Sequence, residues 1–287
     1  MNLSVGPLLY YWERAEVFEF YRALERAPVE CVYLGEVVCA KRRALKQSDW
    51  AAIAEDLAAA GKEVIFTTLA LMEAESELAA LARVVAGNVT IEANDMAAVQ
   101  LAGGKPFVAG PHLNVYNGQT LRLLGALGAR RWVVPLELDT AAIAELLDER
   151  PQGMECEVFA YGRMPLAFSA RCFSARVRRT NKDDCGFVCA EDRDGLTVYT
   201  RERKPLFALN GVQTQSAQVR NLIGCVSELE AAGVGMLRLS PHSNAAAPFA
   251  EVIEAFAQAA RGEQAPRCPP SALPGGYCFG PVLERGG

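Results

Sequence analysis

Short apolar runs alternate with stretches of helical period along most of this chain, and that alternation restricts its fold more than any other feature. CVYLG at Cys31 to Gly35 precedes a stripe of Trp50, Ile53 and Leu57, stopped by Gly61. VIFTT at Val64 to Thr68 precedes Leu78, Leu81 and Val85, and VTIEA at Val89 to Ala93 precedes a short helical piece. FVAG at Phe107 to Gly110 and WVVPLEL at Trp132 to Leu138 repeat the pattern, with helices near Asn117 to Leu127 and Thr140 to Glu149. Leu3 to Tyr11 opens the series, Glu155 to Tyr161 supplies a seventh strand and Met236 to Ser240 an eighth. Before the eighth, Val219, Leu222, Ile223, Val226 and Leu229 predict a helix from about Ala217 to Ala232, and Phe249 to Ala260 reads as the closing helix. Eight strands with helices between them predict a (β/α)8 TIM-type barrel over residues 1–262, followed by a Pro- and Gly-rich tail at 263–287. A doubly wound open sheet would give the same local pattern.

Composition removes several function classes. With 51% apolar and 22% charged residues the chain is not of the disordered type. A net charge of -5 gives no basic field for nucleic acid. No stretch approaches the ~20 apolar residues of a transmembrane helix, and MNLSVGPLLYYWERAE lacks a signal-peptide pattern, so a cytoplasmic protein is expected. The nine cysteines are then a poor disulfide set.

The rhythm breaks once, after the seventh strand. Residues of about 162–216 form an insertion with weak β signal, and RCFSARVRRTNKDDCGFVC within it holds Cys172, Cys185 and Cys189. A CxxxC pair in a turn-rich segment lets two thiolates converge on one metal or cluster, and a longer loop returns a third. The fourth is best supplied by Cys39, just beyond the second strand, because all strand C-terminal ends of a parallel barrel open on one face. Zinc and iron-sulfur both suit four thiolates; the absence of CxxC knuckles leans to the cluster. Arg171, Arg176, Arg178, Arg179 and Lys182 lie among these ligands as countercharge or as a solvated loop. Cys31, Cys156 and Cys225 read as small core residues, and Cys268 and Cys278 as free thiols or metal ligands in the tail.

YLGEVVCAKRR, EVFAYGRMPLAFSARC, FALNGVQTQSA and LRLSP, with GPLLYYW, TTLAL and PFVAGPHLNVYN in order, resemble the peptidase U32 family over nearly the whole chain. The resemblance is to a branch of oxygen-independent ubiquinone biosynthesis. It implies a barrel with one [4Fe-4S] cluster on Cys39, Cys172, Cys185 and Cys189. It further implies a heterodimer with a UbiU-like U32 protein, a UbiT-like lipid-binding accessory protein, and a ubiquinone precursor whose aromatic ring is hydroxylated without O2. The alternatives are a structural metal-binding barrel that scaffolds a partner, or a U32-type peptidase or hydrolase. Arg163, Pro165 and Ala170 depart from the wider family signature, and HExxH is absent, which speaks against peptidase activity.

Further candidates stand at expected strand ends. His112 and His242 are possible contact residues or structural histidines. Asn114 and Asn117 carry amides suited to a phenol or a carboxylate. Glu36 and Glu92 are proton acceptors or salt-bridge partners, and Arg42 and Arg43 orient an anion or offset the cluster's field.

Overall fold

The computed structural model describes residues 1–87, 89–241 and 246–263. His242, Cys268 and Cys278 lie outside them. Eight parallel strands close on themselves: β1 (Asn2–Val5), β2 (Cys31–Leu34), β3 (Glu63–Thr67), β4 (Thr90–Ala93), β5 (Phe107–Ala109), β6 (Ala129–Val133), β7 (Glu155–Phe168) and β11 (Met236–Leu239). Closure runs through β11, which pairs with β1 from Asn2↔Met236 to Val5↔Leu239 and with β7 from Met236↔Glu157. Helices cover the outside: α1 (Arg14–Leu24), α2 (Gln47–Ala59), α3 (Glu75–Ala86), α4 (Met96–Ala102), α5 (Gly118–Ala126), α6 (Thr140–Asp148), α8 (Val226–Ala231) and α9 (Ala246–Ala260). The chain is a TIM-type barrel.

The local reasons are visible in the side chains. All four residues of β2 are buried, as a strand packed on both faces must be. Asp95, Asn117 and Asp139 start α4, α5 and α6 by accepting from the backbone N–H of Ala97 (2.8 Å), Thr120 (2.8 Å) and Ala142 (2.9 Å). Asn117 is thereby committed to capping. Ile53 and Leu57 on α2, Leu81 and Val85 on α3, and Val252, Ile253 and Phe256 on α9 carry the apolar stripes into the core between helices and sheet. Truncating Phe256, which is fully buried, to Ala costs about 3–5 kcal/mol.

The segment after the barrel part of β7 is where expectation and structure differ. β7 continues to Phe168, and β10 (Gln213–Asn221) runs antiparallel to it, followed by β9 (Pro205–Asn210) and β8 (Leu196–Tyr199). The excursion is thus an antiparallel ribbon continuous with the barrel sheet, plus α7 (Phe173–Val177). The helix expected from Ala217 to Ala232 is corrected: Ala217 to Asn221 lie in β10, and helix begins only at α8. Pairing to β7 and β9 outweighs the helical spacing of the apolar residues. Cys225, expected inside that helix as a core residue, sits half-buried in a 3-10 turn at Ile223–Cys225. Gly162 makes the turn out of the barrel possible. Its φ is +128°, and a Cβ there would stand 2.7 Å from the Ser240 carbonyl oxygen.

Candidate functional site

The C-terminal mouth of the barrel gathers the loops after β1, β2, β5, β6 and β7. The loop after β2 carries Cys39, and its turn is shaped by Glu36, whose Oε1 accepts from the N–H groups of Val38 (2.8 Å) and Cys39 (3.0 Å). Glu36 is therefore a loop former, and burial raises its carboxyl. From the other side the insertion delivers Cys172 at the start of α7, its Sγ accepting from the Ala175 N–H at 3.5 Å. Cys185 directly follows the 3-10 turn Lys182–Asp184, and Cys189 lies in a second, Val188–Ala190.

Cys39, Cys172, Cys185 and Cys189 are all half-buried and unpaired. Burial pushes the Cys39 thiol up, and Cys172 is among the charges that raise it further. Cys189 is raised by burial and by Cys172 and Cys185, against the lowering influence of Arg42. Lys41 is within electrostatic reach of Cys39 and Cys185, and Tyr11 of Cys185 and Cys189. Two loops about 130 residues apart in sequence thus bring four sulfurs into one electrostatic neighbourhood. Among the described residues no group of three or more His, Cys, Asp or Glu is spaced to hold a metal ion. Thiolates on one zinc would stand about 3.8 Å apart, given Zn–S of about 2.3 Å.

Arg42 ties this neighbourhood together. It is 6% exposed, and it donates to the Leu9 carbonyl from Nη1 at 2.8 Å and to Asn210 Oδ1 from Nη2 at 2.6 Å. Its Nε is buried without a partner. Lys41 adds a bond to the Lys182 carbonyl (3.0 Å) and an ion pair with Asp183, and Tyr11 stacks on Phe187 with ring centroids 5.7 Å apart.

Beneath the mouth the barrel interior is charged. Glu157 Oε1 accepts from Ser4 Oγ (2.6 Å) and Arg238 Nε (2.7 Å), and its Oε2 from the Tyr33 hydroxyl. Arg238 Nη1 also meets Glu92 Oε1 at 2.7 Å, and Thr67 Oγ1 donates to Glu92 Oε2 at 2.6 Å. Burial alone would raise the Glu157 carboxyl, but Arg238, Arg131 and the hydrogen bonds outweigh it and hold it below the usual range. Glu92 is 1% exposed and paired, which leaves it no solvent-facing role.

A cavity of about 230 Å³ opens at the mouth between the loops after β5 and β6 and the outgoing part of β7. His112 lines it, and also lines a smaller recess over Arg238 and Glu92. Its ring meets Phe168 edge-on at 4.6 Å, and burial and then Arg238 push its imidazole down to about 3. Asn114 lines the same cavity.

The family model described as Peptidase family U32 matches residues 17–267. The chain belongs to peptidase family U32. Its fold is also similar to a solved U32 peptidase, with a TM-score of 0.45 and 11% identity over 84% of this chain and 93% of that one. A truncated 3-deoxy-D-arabino-heptulosonate 7-phosphate synthase from Thermotoga maritima gives 0.40 and 10% over 91% and 87%. A β-galactosidase from Halorubrum lacusprofundi gives 0.40 and 10% over 90% and 58%.

In this U32 chain, sequence reasoning missed the interior set of Ser4, Tyr33, Arg131, Glu157 and Arg238. The signal was present: a charged residue inside each of the apolar strands ARRWV, ECEVFAY and MLRL. Arg43, adjacent to the buried Arg42, is exposed and joins none of these contacts. Of the basic residues of the insertion, Arg178 pairs with Glu191 and Asp192, and Lys182 with Glu73. No described helix is long and apolar enough to cross a membrane.

Proposed function

We propose that this U32 protein is a counterpart of UbiV. In that reading it is the iron-sulfur subunit that, with a UbiU-like U32 partner and a UbiT-like lipid-binding protein, supports hydroxylation of the aromatic ring of a ubiquinone precursor without O2. The observation that carries the proposal is that Cys39 comes within electrostatic reach of Cys172, which with Cys185 is also within reach of Cys189. The donor chemistry fits a [4Fe-4S] cluster. Four half-buried thiols are free of disulfides, Cys172 is within electrostatic reach of both Cys39 and Cys189, and the Arg42 guanidinium stands beside Cys189. Bound there, such a cluster would supply electron transfer, since four cysteines leave no iron open to substrate.

The chain's own residues have defined tasks in that reading. Cys39, Cys172, Cys185 and Cys189 hold the group. Lys41 and Arg42 offset the negative charge of the thiolates, and Glu36 fixes the turn that presents Cys39. Tyr11, stacked on Phe187, stands within electrostatic reach of Cys185 and Cys189.

A hydrolytic role is the second reading, and the family match favours it. The mouth cavity with His112 would be its site. An imidazole held down to about 3 is a weak general base at neutral pH, although it still accepts a hydrogen bond. A scaffold barrel holding structural zinc is the third. Anaerobic purification followed by iron, sulfide and zinc assay, with a peptide-hydrolysis assay on the same sample, separates them. The proposal expects about four iron and four sulfide per chain and no hydrolysis. Zinc alone supports the scaffold, and metal-independent hydrolysis supports the peptidase.

A further inference from the structure

We infer that the exposed face of the insertion around α7 is a docking surface for a small acidic one-electron carrier protein, steered by Arg171, Arg176 and Arg179. The inference rests on the reading above for the destination of the electron. The surface itself is argued from charge, exposure and backbone geometry.

Charge is unevenly spread along the chain. Residues 162–216 hold ten Lys and Arg against six Asp and Glu, a net +4, so the rest of the chain carries -9. Three of these cations are matched within the molecule: Arg178 by Glu191 and Asp192, Lys182 by Glu73, and Arg193 by Glu16. Arg171, Arg176, Arg179, Arg201, Arg203 and Lys204 are exposed and make no ion pair with any described residue. A positive face on a negative molecule orients an approaching acidic partner before contact.

The backbone supports a use for this charge. Arg179 follows α7 at φ 56°, the left-handed position where glycine commonly ends a helix. Its N–H donates to the Arg176 carbonyl at 3.1 Å, and the Thr180 N–H donates to the Ala175 carbonyl at 2.9 Å. The helix stop is thus complete, with an arginine in the place that suits glycine. Of the four non-glycine residues at positive φ among the described residues, three lie in the insertion: Arg179, Phe187 at 57° and Arg203 at 61°. All three are exposed. Phe187 has Tyr11 to stack on, but Arg179 and Arg203 gain no ion pair within the protein that would offset the strain. Their use lies outside it.

Apolar surface accompanies the cations. Val177 is 60% exposed beside Arg176, and five of the eleven exposed large apolar side chains among the described residues belong to the insertion. Cations around a few apolar contacts suit a small, quickly released interface, as electron-transfer encounters have.

Location names the partner. Cys172 caps the start of α7, so Arg176 stands one helical turn from it, about 6 Å of rise. A carrier seated on Arg176 and Arg179 is therefore beside the cysteine-bearing turns. One electron would leave the carrier and enter the group the cysteines hold, with no atom or proton exchanged. A bilayer is the weaker fit: a flat anionic surface would also meet the acidic remainder of the chain, whereas a small protein need touch only the insertion.

Isotope-labelled flavodoxin, an acidic flavin carrier, titrated with the full-length chain and followed by NMR tests the inference. Binding should weaken about tenfold when salt rises from about 50 to about 300 mM. Arg176→Glu combined with Arg179→Glu should weaken it by about tenfold or more. The matched pair Arg26→Glu with Arg83→Glu, exposed near the ends of α1 and α3 at the far end of the barrel, should leave it unchanged. Arg179→Gly should bind more weakly in a fold at least as stable to urea, since glycine suits the left-handed turn. No binding, equal binding of the basic carrier cytochrome c, or indifference to the arginine variants would overturn the proposal. So would preference for phosphatidylglycerol vesicles over flavodoxin, or loss of flavodoxin binding when the chain is coexpressed with a UbiU-like U32 partner. Iron assayed in the same samples keeps the two readings apart. An iron-loaded protein that ignores flavodoxin sinks the docking face and leaves the cluster standing, and a zinc-only protein that binds it does the reverse.

Discussion

Arg42 Nη2 donates to Asn210 Oδ1 at 2.6 Å, joining the loop after β2 to the last residue of β9 across 168 positions of sequence. The same guanidinium holds the Leu9 carbonyl, so one side chain fixes the β1 loop, the Cys39 loop and the insertion relative to each other.

Arg42→Ala should therefore destabilise the protein by about 2–3 kcal/mol, because it strands the buried Asn210 Oδ1 and loses two charged hydrogen bonds, while the Leu9 carbonyl keeps the Asn210 Nδ2 donor at 2.7 Å. Urea titration measures this. A double-mutant cycle with Asn210→Ala should return a coupling of about 1–2 kcal/mol, and strict additivity would show that the pair is not in contact.

Cys39→Ala should lower iron per chain as far as Cys172→Ala does after identical anaerobic reconstitution. Cys31→Ala should keep its iron and lose roughly 1 kcal/mol of packing, because Cys31 is fully buried at the start of β2, at the other end of the barrel. Full iron in the Cys39 variant would remove it from the ligand set.

Glu157→Gln should cost about 3–5 kcal/mol, since it leaves Arg238 with a single carboxylate partner inside the barrel. Far-ultraviolet circular dichroism against urea checks it. A loss under 1 kcal/mol would mean that water or rearrangement satisfies Arg238.

His112 predicts a pH dependence. The unfolded chain protonates this imidazole near pH 6.5, while the fold holds it neutral down to about 3. Unfolding then takes up a proton below about pH 6.5, so this contribution is complete above that pH and is lost as pH falls toward 3. The slope reaches about 1.4 kcal/mol per pH unit. Between pH 6 and 4, His112→Asn should show a shallower decline than the parent. Parallel declines would assign the acid sensitivity elsewhere, with Glu157 the next candidate.

The barrel strands were legible because β2 to β6 and β11 are short runs between turn signals, and the stripes at Ile53, Leu57, Val252 and Phe256 declared the helices. QTQSAQVRN was not. Val219, Leu222, Ile223, Val226 and Leu229 are spaced for a helix, and only pairing with β7 and β9, distant in sequence, makes a strand of the first part. The loop setting of Cys172, Cys185 and Cys189 is what marked them as candidates. That Cys39 would lie near them depended on the strand order and on the turn of β7 at Gly162, which no local pattern encodes. The paired interior charges escaped notice because each strand hides only one.

The passage of β7 from barrel wall into ribbon has a mechanical corollary. There is no linker at Gly162 about which residues 163–221 could swing as a separate body, because hydrogen bonding passes from the β11 partner directly to the β10 partner. A displacement of the cysteine turns would therefore load the seventh stave of the barrel like the long arm of a lever. The Arg238 and Glu157 pair, bonded across β11 and β7, sits where that torque would be felt. Amide exchange across residues 158–168 would register such a displacement as one continuous change in protection on both sides of the bend.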